Sequence, residues 1–92
     1  MSLKILDEVL EEGEVHFRAS SANLVHRFVL TKQAISKLSQ NKNLNFNNES
    51  DVLKVFRENK LEIARAAEDL LVKQDLAYDP FYTITASMVR LN

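Results

Sequence analysis

Two runs decide the fold: Glu14-Val15-His16-Phe17-Arg18-Ala19 and Leu24-Val25-His26-Arg27-Phe28-Val29-Leu30, joined by Ser20-Ser21-Ala22-Asn23. In the first, Val15, Phe17 and Ala19 alternate with His16 and Arg18, the two-residue period of a half-buried strand. The second is rich in β-branched and aromatic residues that suit a pleated surface, and the four residues between them favour a turn. A hairpin follows. If the apolar faces are to coincide, Val15 is expected opposite Phe28, Phe17 opposite His26 and Ala19 opposite Leu24, because a one-residue slip would turn every side chain over. His26 then faces the core side, while His16, Arg18, Val25 and Val29 face away from it.

Outward from the hairpin the period changes. Upstream, Leu3, Leu6, Val9 and Leu10 recur at three- and four-residue spacing among acids, with Gly13 beyond them, which predicts a short amphipathic helix over residues 3–12. An extended segment through Lys4, Ile5 and Leu6 is the competing reading, since so short a helix is marginal without tertiary contacts. Downstream, Thr31 suits an N-cap for a helix over Lys32 to Leu38 with Ala34, Ile35 and Leu38 inward. Ser39 to Glu49 carries Asn41, Asn43, Asn45, Asn47 and Asn48, whose side chains compete for backbone groups, so a loop anchored by Leu44 and Phe46 is expected.

Asn48 or Ser50 then caps one long helix running to about Asp75, with Val52, Val55, Phe56, Ile63, Ala66, Ala67 and Leu70 as its buried stripe. Lys54 with Glu58, Arg65 with Asp69 and Asp69 with Lys73 sit four apart, pairs worth ~0.2–0.5 kcal/mol each. Tyr78-Asp79-Pro80 ends the helix, and Phe81 to Thr85 supplies a closing strand that could extend toward Leu91. The expected architecture is α+β: a small antiparallel sheet of about three strands, the N-terminal hairpin plus the C-terminal strand, with two main helices packed on one face.

Composition bounds the rest. At 92 residues, 46% apolar and 27% charged with one Gly and one Pro, residues 1–92 read as a single globular domain. The absence of Cys removes thiolate chemistry and disulfides and fits a reducing compartment. No apolar run approaches the ~18 residues of a spanning helix, and Met1-Ser2-Leu3-Lys4 lacks the pattern of a signal peptide. A cytoplasmic protein without membrane contact is the expectation.

The order of parts resembles a family of small proteobacterial proteins of unknown function. The resemblance is carried by Val15-His16-Phe17-Arg18-Ala19, by Thr31 with Gln33-Ala34-Ile35, and by the run from Phe56 through Asn59, Lys60 and Ile63 to Ala66-Ala67. It spans roughly residues 15 to 85 and implies an α+β fold with an antiparallel sheet, but no activity. The chain departs from the family pattern in lacking a Trp-Asp pair before the first strand, in a longer Asn-rich loop and in a longer segment after the long helix.

No chemical signature emerges. His26 points toward apolar neighbours, and His16 can approach Arg27 across the hairpin, yet no acid nearby in sequence orients either ring as a triad or a metal site requires. Glu58 and Glu62, one helical turn apart, lack the His three residues on that carboxylate-bridged metal sites use. Ser20-Ser21 has no glycine-flanked elbow, and one Gly cannot build a phosphate-cradling loop. No catalytic, cofactor or metal site is therefore expected, and the protein is read as a non-enzyme.

Charge is uneven. Asp7, Glu8, Glu11, Glu12 and Glu14 make the first segment acidic, whereas residues 15–48 hold Arg18, Arg27, Lys32, Lys37 and Lys42 and no acid. The leading expectation is a protein-interaction or regulatory module, self-association included, whose surface comprises His16, Arg18, Val25, Arg27, Val29, Lys32 and Lys37 on and beside an open sheet face. The alternatives are nucleic-acid binding through the basic hairpin region and a role as subunit or accessory of an enzyme. Exposure of Val25 and Val29 is what the apolar part of this surface requires.

Overall fold

The computed structural model describes residues 3–40, 43–73 and 81–91. Strands β1 (Lys4–Glu11), β2 (Glu14–Ser21) and β3 (Leu24–Leu30) come first, then helices α1 (Lys32–Ser39), α2 (Glu49–Glu58) and α3 (Lys60–Lys73), then strand β4 (Tyr82–Ile84) and a 3-10 turn over Ala86–Met88. The fold is α+β, with sheet order β1-β2-β3-β4. The expected helix end near Asp75, the Tyr78-Asp79-Pro80 break, Asn41 and Lys42 lie outside the described residues.

The helix expected over residues 3–12 is instead strand β1. Its ladder with β2 shifts between Ile5 and Asp7, so Leu6 is an inserted bulge residue. Ile5, Glu8 and Leu10 are the half-buried residues of the strand, and their three-then-two spacing imitates a helical period. Gly13 does adopt positive φ, as does Glu12, but they form the two-residue loop that closes the Glu11↔Glu14 pair, a primed hairpin turn.

The β2–β3 hairpin forms on the expected faces in a different register. Val15 pairs with Leu30, Phe17 with Phe28 and Ala19 with His26, two residues away from the expected partners. The cause is the turn: Ala22 and Asn23 both take positive φ, so the loop is two residues rather than four and Ser21 pairs with Leu24. A two-residue shift preserves the faces. Val15, Phe17 and Phe28 are buried, with the Phe17 ring 5.1 Å from Phe28 and 5.2 Å from Phe56 of α2.

Strands β1 to β3 are antiparallel, but β4 joins β3 in parallel, making a mixed sheet of four strands among the described residues rather than an antiparallel one of three. Parallel neighbours need a crossover connection, and the helical stretch α1–α3 lies within it. Beyond the ladder, the Thr31 amide donates to the Ile84 carbonyl at 3.1 Å. The closing strand ends at Ile84, and the chain turns at Ala86–Met88 rather than running extended to Leu91.

Thr31 and Asn48 cap α1 and α2 as expected, each side chain accepting an amide N–H three residues on, at 3.2 Å. The single long helix is two. Asn59 interrupts it: its side-chain amide donates to the Val55 carbonyl at 2.8 Å and its backbone N–H to Phe56 at 3.1 Å, while its own carbonyl accepts from Ile63. Asn59 thus ends α2 and opens α3, the local backbone competition to which such side chains are prone. The apolar stripe continues across the break, with Val52, Phe56, Ile63, Ala66, Ala67 and Leu70 all in the core. Leu44 and Phe46 pack against that core as loop anchors.

Candidate functional site

The helices take one face of the sheet and leave the other. On the helix side Glu8 reaches α2, accepting from Arg57 Nε at 2.9 Å with its own side chain only 11% exposed, and Glu68 of α3 accepts the Leu3 amide at 2.7 Å. These contacts tie the edge strand β1 down; on the opposite face, among the described residues, Val9, Val25 and Phe81 are exposed and Val29 is buried.

That face is built by register. Its central row is Val9, His16, Val29 and Thr83, one residue from each strand. On one side of it the row Asp7, Arg18, Arg27 crosses β1 to β3, and beyond that Ser20 and Val25 are paired. On the other side Glu11 stands opposite Glu14. A hollow of about 490 Å³ opens here, lined by Asp7, Val9, Glu11, His16, Arg18, Arg27 and Phe81 among others.

Two cross-strand pairs on this face carry like charge, Glu11↔Glu14 and Arg18↔Arg27, an arrangement that destabilises a ladder. Relief within the chain is partial. Arg18 Nε donates to both Asp7 carboxylate oxygens at 3.1 Å; these hydrogen bonds hold the Asp7 carboxyl below the usual carboxylate range and push Arg18 up. Arg27 makes no ion pair among the described residues. Glu11 lies 3.7 Å from His16 Nε2, an acid that the β1–β2 pairing, and not sequence proximity, brings to this ring.

The expected surface residues divide. His16, Arg18, Val25, Arg27 and Val29 share this face. Val25 is 54% exposed, whereas Val29 is 4% exposed; the expected apolar pair is therefore halved, and Val9 at 47% and Phe81 at 45% exposure take its place. Lys32 and Lys37 are engaged elsewhere: Lys32 Nζ sits 5.5 Å from the Phe46 ring centre, and Lys37 Nζ donates to the Ala86 carbonyl at 3.0 Å. His26 lies on the core side as expected, half-buried and edge-on to Tyr82 at 6.1 Å.

Glu58 and Glu62 do not share a helical turn, since the break at Asn59 puts them on α2 and α3. Glu62 accepts from Arg65 Nε and Nη2 at 2.9 and 2.6 Å and from the Arg90 amide at 2.7 Å. Arg65's hydrogen bonds hold its carboxyl below the ordinary range, against the opposing effect of partial burial. Arg65 also reaches Asp69 at 3.0 Å. This cluster fastens the C-terminal segment to α3.

No family model matches the sequence, and no curated protein matches it. Among solved structures the fold is similar to that of a protein of unknown function from the DUF1488 family of Shewanella loihica PV-4, with a TM-score of 0.73 over 90% of this chain and 91% of that one. At 17% identity the likeness is one of fold. It agrees with the resemblance read from the sequence, since that protein too is proteobacterial and from a family without assigned function. Among the described residues no helix is long and apolar enough to cross a membrane.

Proposed function

We propose that the protein is a non-enzymatic interaction module whose sheet face opposite the helices binds a protein surface. The observation that supports this is the Arg27 guanidinium, without an ion-pair partner among the described residues and set beside the exposed apolar side chains Val9, Val25 and Phe81 on the face opposite the helices. Apolar area supplies the drive to associate, and a desolvated Arg that finds a carboxylate supplies register and specificity. A regulatory role would operate through the same contact.

Nucleic-acid binding has less support. Of the described cations in residues 15–48, Lys32 and Lys37 are held away from this face and Arg18 is neutralised by Asp7, which leaves no continuous basic track among the described residues for a phosphate backbone. An enzyme-accessory role would draw on the same face as a docking surface.

A photo-crosslinking residue at Val25, compared with one at Lys54 on α2, tests the proposal. Adducts of defined mass are expected from position 25, suppressed by Arg27→Glu, with few from position 54. Equal yields from both positions, or none from either, would overturn it. Short oligonucleotides at low salt are expected not to bind; steeply salt-dependent binding would instead favour nucleic acid.

A further inference from the structure

We infer that this face takes an extended segment of a protein partner in which a Lys or Arg, an apolar residue and an Asp or Glu follow one another at every second position; the inference rests on the interaction reading above and names the chemistry of its partner. Its warrant is the polarity of the face along the strands. At one end Glu11 stands opposite Glu14. At the other, Arg18 stands opposite Arg27 and the exposed Lys4 opposite Ser20, with the Asp7 carboxylate on Arg18. Between the ends runs the row Val9, His16, Val29 and Thr83, which holds no carboxylate, ammonium or guanidinium.

Glu14 and Arg18 are four residues apart on β2, roughly 13 Å at strand rise. Glu11 and Arg27 lie level with them in the ladder, so this is the separation of the two poles. The hollow of about 490 Å³ reaches both, with Glu11 in its lining at one end and Arg18 and Arg27 at the other. Each pole is a pair of like charges, unfavourable within the chain, whose cross-strand side chains stand about 5 Å apart. One ion of opposite sign fits between the members of such a pair and offsets their repulsion. A cation of the partner suits Glu11 and Glu14, and a carboxylate suits Arg27, which has no ion-pair partner among the described residues, together with Arg18 beside it.

The spacing selects the segment. In an extended chain, residues four apart point the same way and lie about 13 Å apart, and the residue midway falls over Val9 and His16. On a helix the same-face positions nearest to this range are seven and eleven residues apart, about 10.5 and 16.5 Å, and neither matches the poles. At the ~10 Å separation of face-to-face sheets, side chains from the two sides meet in the hollow. A phosphate backbone fits less well, because its uniform negative charge meets Glu11 and Glu14 at one end.

The test uses three end-blocked peptides, Lys-Thr-Phe-Thr-Glu, Glu-Thr-Phe-Thr-Glu and Lys-Thr-Phe-Thr-Lys, titrated into labelled protein to about 5 mM, the range of weak single contacts, and followed by backbone amide shifts. The dipolar peptide is expected to move His16, Arg18 and Arg27 and to bind about threefold or more tightly than either like-charged one, an advantage lost at high salt. Arg18→Glu combined with Arg27→Glu turns the basic pole acidic and is expected to bind the di-lysine peptide about threefold or more tightly than the dipolar one, a gain that a misfolded chain cannot show. Equal affinity of wild type for the three peptides, no shift up to about 5 mM, shifts confined to the helical side, or a folded double variant that keeps the wild-type preference would overturn the inference. So would shifts that follow protein concentration without peptide, which mark a second copy as the occupant. If crosslinks from position 25 still formed and Arg27→Glu still suppressed them, the interaction reading would stand without this polarity.

Discussion

Arg18 and Arg27 stand directly opposite each other in the β2–β3 ladder, and among the described residues Asp7 neutralises the first while the second has no carboxylate. Like charges directly opposite weaken a ladder, and the Asp7 carboxylate offsets only the Arg18 side of this pair. Arg27→Thr, which removes the repulsion and suits a strand, is expected to raise monomer stability by about 0.2–1 kcal/mol while weakening association. Urea denaturation, set beside the crosslinking yield from position 25, measures both.

Glu8 points into the helix side of the sheet and depends on Arg57. Arg57→Ala leaves that carboxylate inward without its cation and is expected to cost about 1–3 kcal/mol. Replacing both partners with Leu is expected to cost less than Arg57→Ala, because no charge is left stranded. A double-mutant cycle in urea shows this as a coupling between the two positions.

The β2–β3 turn holds Ala22 at φ 50° and Asn23 at φ 69°. An Ala β-carbon is disfavoured there, whereas Asn followed by Gly is the preferred pair for such a turn. Ala22→Asn combined with Asn23→Gly is expected to raise the urea midpoint by the equivalent of about 0.5–1 kcal/mol. Gly13→Ala in the other hairpin is expected to lower it, since φ is +82° and a β-carbon would meet the Lys32 side chain.

Glu62 contributes to acid sensitivity. Its carboxyl, hydrogen-bonded by Arg65, titrates below its ordinary value of 4.5 in the folded chain. It therefore contributes stability above pH 4.5 that is lost as pH falls through the lower native value. Glu62→Gln is expected to cost about 1 kcal/mol at pH 7, with the gap to wild type closing on acidification below that range. Urea midpoints at pH 7 and below pH 4 measure the difference.

Much of this fold was legible where one interaction dominates. Strand alternation at Val15, Phe17 and Ala19, the caps Thr31 and Asn48, and the stripe from Val52 to Leu70 each follow a single periodicity or a single hydrogen bond. Legibility failed where two local effects compete. The bulge at Leu6 shifts the period of β1 toward that of a helix, the positive φ of Ala22 tightens a turn that a non-glycine residue seldom forms, and Asn59 trades helix continuity for bonds to the Val55 and Phe56 carbonyls. Reading β1 as helical also hid Glu11 and Asp7 from the open face. The candidate surface was visible as a row of side chains on β2 and β3, but its pairing of like with like needed the register.

The most direct measurement is the set of backbone amide shifts of labelled protein as the protein captured through position 25 is added. Progressive movement is expected at His16, Arg18, Val25 and Arg27, with Leu61 and Lys54 on the helices unmoved. Shifts confined to the helical side, or a spectrum that does not change on that addition, would contradict the interaction reading.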